Sequence, residues 1–135
     1  MSGRRGTTRR RRPPSKRFGA RPDACHCSKC RKHSGHYYAG TDVKRAALTI
    51  HGEEHLTWFA SSEKVRRGFC ATCGSSLFFD PVDHERHDWI AVSMGAFDTP
   101  TQTKLAIHIF VADKGDYYDI ADGLPQRAGR PEAPS

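Results

Sequence analysis

The chain has 135 residues, of which 36% are hydrophobic, and this length fits one small folded domain and excludes two domains of ordinary size. Its net charge of +7 is uneven, because nine of the 22 Lys and Arg residues lie in residues 1–21, where no acidic residue occurs. The rest of the chain is slightly acidic, so its composition does not indicate a nucleic-acid-binding domain. No apolar stretch approaches the ~20 residues of a membrane span, and we expect no membrane association.

In chain order, the composition predicts three regions. Residues 1–22, rich in Arg with Gly and Pro, are predicted to form a disordered arm, because they contain too little apolar surface to fold. Residues 23–127 are predicted to form the folded domain, and residues 128–135, rich in Pro and Ala, a frayed C-terminal tail.

Within residues 23–127, short runs of β-branched and aromatic residues alternate with Gly and Pro turn signals, which predicts a mainly β fold. One short helical turn is expected at 28–33. The predicted strands are 37–43, 47–51, 55–60, 66–70, 76–79, 89–93, 104–111 and 117–120.

The first cysteine motif places Cys25, Cys27 and Cys30 within six residues. Thiolates at this spacing can surround one zinc ion and leave its fourth tetrahedral position open, as in catalytic sites. No apolar segment follows the N-terminal arginines as a secretory signal requires, and the cysteines are spaced for metal rather than for disulfides. We therefore expect a zinc protein in the reducing cytoplasm.

The second cysteine motif is Cys70 and Cys73, followed by Gly74, which permits a tight turn. Two arrangements are compatible with the spacing of the two motifs. In one, Cys25, Cys27 and Cys30 form their own open site. In the other, both C-x-x-C pairs form one closed four-cysteine zinc site, and Cys25 does not take part.

From residue 24 onward the chain resembles the family of glutathione-dependent formaldehyde-activating enzymes, which includes centromere protein V. The segments that carry the resemblance are Cys25-His26-Cys27-Ser28-Lys29-Cys30-Arg31-Lys32, Phe69-Cys70-Ala71-Thr72-Cys73-Gly74-Ser75-Ser76-Leu77-Phe78, Val92-Ser93-Met94-Gly95-Ala96-Phe97-Asp98, Ala106-Ile107-His108-Ile109 and Asp122-Gly123-Leu124-Pro125-Gln126. The resemblance implies a β-tent fold of twisted antiparallel sheets with zinc-binding knuckles. It also implies two zinc ions, with Cys25, Cys27 and Cys30 holding the catalytic ion and Cys70 and Cys73 contributing half of the structural site.

This chain departs from the family pattern near its start. Family members normally begin with two strands and a Cys-x-Cys that completes the structural site, whereas residues 1–24 contain no Cys. We therefore expect one or two zinc ions per chain and an exposed sheet edge.

The resemblance implies a zinc-dependent carbon-sulfur lyase that acts on a thiol-aldehyde adduct such as S-hydroxymethylglutathione, with a small thiol such as glutathione as partner. The alternative is a non-catalytic zinc module whose basic arm binds nucleic acid. Histidines near the first motif can move a proton or orient substrate, or can be solvated; these are His26, His33 and His36. We expect His108 to be a packed residue. Basic residues that can receive substrate carboxylates, or simply be solvated, are Arg31, Lys32, Arg66 and Arg67.

Overall fold

The computed structural model describes residues 21–129, which form one sheet and a short helix. The helix, α1, spans Ser28–Ser34 and follows the first strand closely. The seven strands are β1 Asp23–Cys25, β2 Tyr38–Lys44, β3 Leu56–Ala60, β4 Val65–Cys70, β5 Ser76–Pro81, β6 Trp89–Ser93 and β7 Ile107–Ile109. The predicted mainly β fold is confirmed.

The strands follow the order β3-β4-β5-β6-β2-β1-β7 across the sheet. The pairs from β3 to β1 are antiparallel, whereas β1 and β7 are parallel, so the sheet is mixed rather than purely antiparallel. The last two strands, β1 and β7, are three residues long. The short strand β1 therefore lies between two partners and leads directly into α1.

The two faces of the sheet carry different side chains, because successive residues of a strand point to opposite sides. The core face carries the main apolar cluster, which includes Val43, Phe78 and Val92. The opposite face, here called the cysteine face, carries a smaller buried cluster of Cys25, Cys30 and Tyr38. The register places Cys25 beside Tyr38, which fixes the cysteine on this second face.

Two predicted strands are wrong. Residues 47–51 are not a strand, because the chain forms a 3₁₀ turn at Arg45–Ala47 and then packs Leu48 and Ile50 against the core without a strand partner. The alternating apolar residues Leu48 and Ile50 thus reach the core from a loop rather than from a strand. Residues 117–120 do not form a strand either. The rings of Tyr117 and Tyr118 lie 4.6 Å apart, whereas neighbouring residues of a strand point to opposite faces.

A third predicted strand was longer than the strand in the structure, and one strand of the structure was not predicted. The predicted strand 104–111 reduces to β7, because Phe110 adopts a left-handed φ of 56° that ends it. Strand β1 was not predicted, since a three-residue strand has too short a pattern to detect. Its ladder to β7 extends at both ends, where Ala106 N–H donates to Pro22 and His26 N–H donates to Ile109.

The predicted arm, residues 1–22, lies outside the described residues except for its last two positions, and so does most of the predicted tail. The carbonyls of Arg127, Ala128 and Gly129 accept hydrogen bonds from the backbone N–H groups of residues 110–112. Between residues 21 and 129, no helix has the length and apolar character needed to cross a bilayer.

Candidate metal centre

Strand β1 and helix α1 bring the three cysteines of the first motif together. The Sγ atoms of Cys25, Cys27 and Cys30 all lie within 4.8 Å of one another. Cys27 is the N-cap of α1, and its Sγ accepts a hydrogen bond from the N–H of Cys30 at 3.3 Å. The turn of helix that begins at Cys27 therefore returns Cys30 to the same point, while Cys25 reaches it from the end of β1.

The three sulfurs fit a tetrahedral zinc ion. Zinc-sulfur bonds of ~2.3 Å in tetrahedral geometry separate the ligand atoms by roughly 3.8 Å, a distance within the observed spread. In the part of the chain that the structure describes, this is the one group of three or more His, Cys, Asp or Glu ligand atoms with such spacing. Cys25 and Cys30 are buried and Cys27 is half-buried, so the cluster is most accessible on the Cys27 side.

The second motif does not join this cluster. Cys70 is buried in the main apolar cluster of the core face, and Cys73 is exposed in the turn that follows, where Gly74 adopts a φ of 81°. The Ser75 hydroxyl lies 3.0 Å from the Cys73 sulfur, and this hydrogen bond lowers the pKa of Cys73. The closed four-cysteine arrangement is therefore not formed, and Cys25, Cys27 and Cys30 stand as a separate group.

A buried arginine lies against the cluster. The register pairs Arg67 of β4 with Phe79 of β5 and directs both side chains to the cysteine face. Arg67 is 3% exposed; its Nη1 donates to the Cys30 sulfur at 3.5 Å and its Nε donates to the Ser61 hydroxyl at 3.0 Å. Its guanidinium carbon lies 5.0 Å from the centre of the Phe79 ring. A positive charge is thus held at the thiols with little solvent to screen it.

The three thiols share hydrogen bonds, and these bonds shift the pKa values of Cys25 and Cys27 in opposite directions. Hydrogen bonds from the thiols of Cys25 and Cys30, with the charge of Arg67, lower the pKa of Cys27 well below its ordinary value. The bond to Cys27 raises the pKa of Cys25 in turn. The thiol whose pKa is lowered is therefore Cys27, the most accessible of the three.

The remaining lining of the cysteine face is aromatic and acidic. Tyr38 is buried, which raises its pKa, and its hydroxyl accepts a hydrogen bond from Ser93 at 3.2 Å. Farther along the same face, burial and the charge of Asp42 raise the pKa of Asp23 to about 7. Both carboxyls lie in the sheet next to the cluster rather than in it.

The structure also contains a hydrogen-bonded chain of side chains that the sequence did not predict. His26, fully buried, lies 2.6 Å from the Tyr118 hydroxyl through Nδ1 and 2.8 Å from His108 Nδ1 through Nε2. His108 Nε2 is in turn 2.9 Å from Asp122 Oδ2. Burial, and then the neighbouring His108, lower the pKa of His26 to about 4. His108 is packed, but it also bridges two polar partners.

Most of the other residues proposed from the sequence lie away from the thiols. Arg31 donates through Nε to the carbonyl of Asp113, and Lys32 is exposed. Arg66 forms an ion pair of 2.8 Å with the buried Asp80. The ring centre of half-buried His33 lies 6.3 Å from that of Phe69, and His36 Nδ1 forms a hydrogen bond of 2.5 Å with the Tyr117 hydroxyl. Of the four basic residues proposed for substrate carboxylates, Arg67 is the one that contacts a thiol of the cluster.

The chain thus combines a mainly β fold with a three-cysteine cluster that could hold a metal ion and a separate second C-x-x-C turn. The family described as glutathione-dependent formaldehyde-activating enzyme matches residues 16–113, and the chain belongs to this family. The matched region contains both cysteine motifs and ends before Tyr118 and Asp122. No curated protein matches the chain.

Proposed function

We propose that the protein is a zinc-dependent carbon-sulfur lyase acting on thiol-aldehyde adducts of the S-hydroxymethylglutathione type. The observation that carries this proposal is the convergence of three sulfurs, from Cys25, Cys27 and Cys30, in a group that holds no fourth protein ligand among the described residues. Membership in the formaldehyde-activating family supports the same reaction class. A fourth ligand position that is free for a small molecule is the feature that separates catalytic from structural zinc sites.

The reaction needs no oxidant or reductant. In the direction of synthesis, a bond forms between the thiol sulfur and the aldehyde carbon, the thiol gives up its proton, and the carbonyl oxygen gains one. The lyase direction breaks the same carbon-sulfur bond, removes the proton from the hydroxyl oxygen and returns one proton to the sulfur. Zinc supplies a Lewis acid that lowers the pKa of a bound thiol or polarises a carbonyl oxygen.

The protein's own residues would hold the metal and control its charge. Three thiolates and one Zn²⁺ leave a net charge of −1, and the buried guanidinium of Arg67 offsets it from the Cys30 side. A less negative site favours the approach of an anionic thiolate. Because Cys25 and Cys30 are buried, a substrate thiol would approach from the side of the half-buried Cys27.

The second cysteine pair is proposed as part of a structural zinc site. Cys70 and Cys73 supply two of the four ligands that such a site takes, so we expect between one and two zinc ions per chain. The spacing of the cysteines suits metal binding rather than disulfides, which favours a reducing compartment, and we propose the cytoplasm.

Incubation of the zinc-loaded protein with formaldehyde and glutathione tests the proposal. The rate of S-hydroxymethylglutathione formation is monitored by NMR, and we expect it to be faster with the protein than in buffer alone. Cys25→Ser should abolish the acceleration, whereas exposed Lys44→Met should retain it. If zinc-loaded protein accelerates no reaction across a panel of small thiols and aldehydes, the proposed activity is wrong.

A further inference from the structure

Four side chains from distant parts of the chain form one line of hydrogen bonds behind the cysteine cluster. In order, they are Tyr118, His26, His108 and Asp122, joined by contacts of 2.6, 2.8 and 2.9 Å. Because Ala24 pairs with His108 across β1 and β7, this line lies on the core side of the sheet, opposite Cys25. The two histidines are 0% and 3% exposed, whereas the Asp122 side chain at the end of the line is 45% exposed.

The carboxylate at one end sets the direction of every bond in the line. A carboxylate only accepts, and the hydrogen bond from His108 lowers the pKa of Asp122, which keeps it ionised. A neutral His108 that donates to this carboxylate carries its proton on Nε2, which leaves Nδ1 as an acceptor. His26 then donates through Nε2 and accepts through Nδ1, and Tyr118 must donate its hydroxyl proton. Each neutral imidazole has one donor and one acceptor, so no bond can reverse alone.

The turn that carries Asp122 is itself fixed to the sheet. Asp122 Oδ1 accepts from the N–H of Leu124 at 3.1 Å, so both carboxylate oxygens are used. The carbonyl of Pro125 accepts from the backbone N–H of His108 at 2.9 Å. The segment 122–126 thus places a hydrogen-bond acceptor beside a buried histidine.

His26 connects this line to the candidate metal ligands, because its residue separates Cys25 from Cys27. Its backbone N–H donates to Ile109 at 3.0 Å, and both of its ring nitrogens are hydrogen-bonded. The backbone at His26 cannot rotate without breaking these bonds, and its rotation would separate the sulfurs on either side.

We propose that Asp122 and Tyr118 are positioning residues. Asp122 acts through His108 and Tyr118 acts directly, and together they fix the orientation of His26 and so hold Cys25 and Cys27 in the arrangement that receives the metal. This role rests on the metal site of the proposed function. It does not depend on the identity of the substrate. Both residues lie beyond the segment that matches the family.

The full chain with Asp122→Asn tests the direction of the line. The asparagine carbonyl can still accept from Leu124, but its amide presents a donor to His108, so the bonds should reverse. We expect nitrogen-15 NMR to show the Nε2–H tautomer of both His26 and His108 in the wild type and the Nδ1–H tautomer of both in the variant. Unchanged tautomers in the variant would show that Asp122 does not set the direction.

Cobalt binding tests the consequence for the ligands. Co²⁺ titrated into the reduced full-length protein should bind roughly 10-fold more weakly in Asp122→Asn and in Tyr118→Phe. Tyr117→Phe is the matched control, because the Tyr117 hydroxyl contacts the exposed His36 outside the line, and it should bind Co²⁺ like the wild type. Wild-type affinity in both Asp122→Asn and Tyr118→Phe would overturn the positioning role. Neither measurement uses a thiol substrate, so the outcome is independent of the proposed lyase activity.

Discussion

Replacing Arg67 with Met tests how much the buried guanidinium contributes to metal binding. The substitution keeps much of the side-chain length and removes the charge that lies 3.5 Å from the Cys30 sulfur. At an effective dielectric constant of ~20, two unit charges at this distance attract by about 5 kcal/mol. Much of this attraction is offset by desolvation, and hydrogen bonds to charged groups contribute about 1.5–3 kcal/mol net. We therefore expect zinc affinity to fall by about 10- to 100-fold.

The measurement is competition for zinc against a chromophoric chelator, with urea unfolding of each metal-free variant as a check on folding. Lys44→Met is the matched control, since it also removes one positive charge, but from an ion pair whose two side chains are each 71% exposed. Exposed pairs of this kind contribute little, so the control should bind zinc like the wild type. Arg67→Lys keeps the charge but not the planar guanidinium, so its zinc affinity should lie between those of Arg67→Met and Lys44→Met.

The reasoning would be refuted if folded Arg67→Met bound zinc within twofold of the Lys44→Met control. That result would mean that the hydrogen bond to Cys30 contributes nothing to the charge balance of the site. An equal loss in Arg67→Met and Arg67→Lys would instead assign the effect to packing against Phe79 rather than to charge.

Three further outcomes are expected. Cys25→Ser should release the zinc that a small thiol can reach, whereas Cys70→Ser should leave that zinc bound and destabilise the core. If elemental analysis finds a single zinc that is lost only in Cys70→Ser, the two cysteine motifs do not form separate sites. Burial raises the pKa of Asp42, so the unfolded chain binds fewer protons than the folded one above about pH 4. The free energy of unfolding should therefore fall as pH rises, and metal-free Asp42→Asn should show a smaller difference between pH 5 and pH 8 in urea unfolding. If the difference equals that of the wild type, Asp42 is not a source of this pH dependence. Gly68→Ala places a Cβ 2.9 Å from the Trp58 ring and should lower the free energy of unfolding by about 1–3 kcal/mol. A urea midpoint equal to that of the wild type would show that the ring moves aside without cost.

The local parts of the candidate metal site were predictable from the sequence, and the long-range parts were not. The spacing of Cys25, Cys27 and Cys30 within six residues predicted a shared site, because one turn of helix from Cys27 brings Cys30 back to the same point, but it also left the closed four-cysteine arrangement open. The regular strands were found for a similar reason, since alternation is a short-range pattern. The three-residue strand β1 is too short to show such a pattern, and β7 was predicted only as part of the longer strand 104–111. Their pairing nevertheless places Cys25.

The line from Tyr118 to Asp122 shows what sequence patterns cannot supply. His26 meets Tyr118 and His108 across separations of 92 and 82 residues, and no periodicity relates those positions. Arg67 was considered together with three other basic residues, and its burial against Cys30 depends on the register of β4 with β5. A one-residue shift in that register would point Arg67 to the core face.

The three candidate ligands belong to one six-residue segment, and this has a consequence for how the metal relates to folding. A metal that joins distant segments closes long loops and stabilises the whole chain, whereas a chelate ring of a few residues removes little conformational entropy from the unfolded state. Occupancy of the Cys25–Cys30 segment should therefore act on local order rather than on global unfolding. We expect the sheet to persist when this metal leaves, so that the protein can be emptied and refilled while it stays folded.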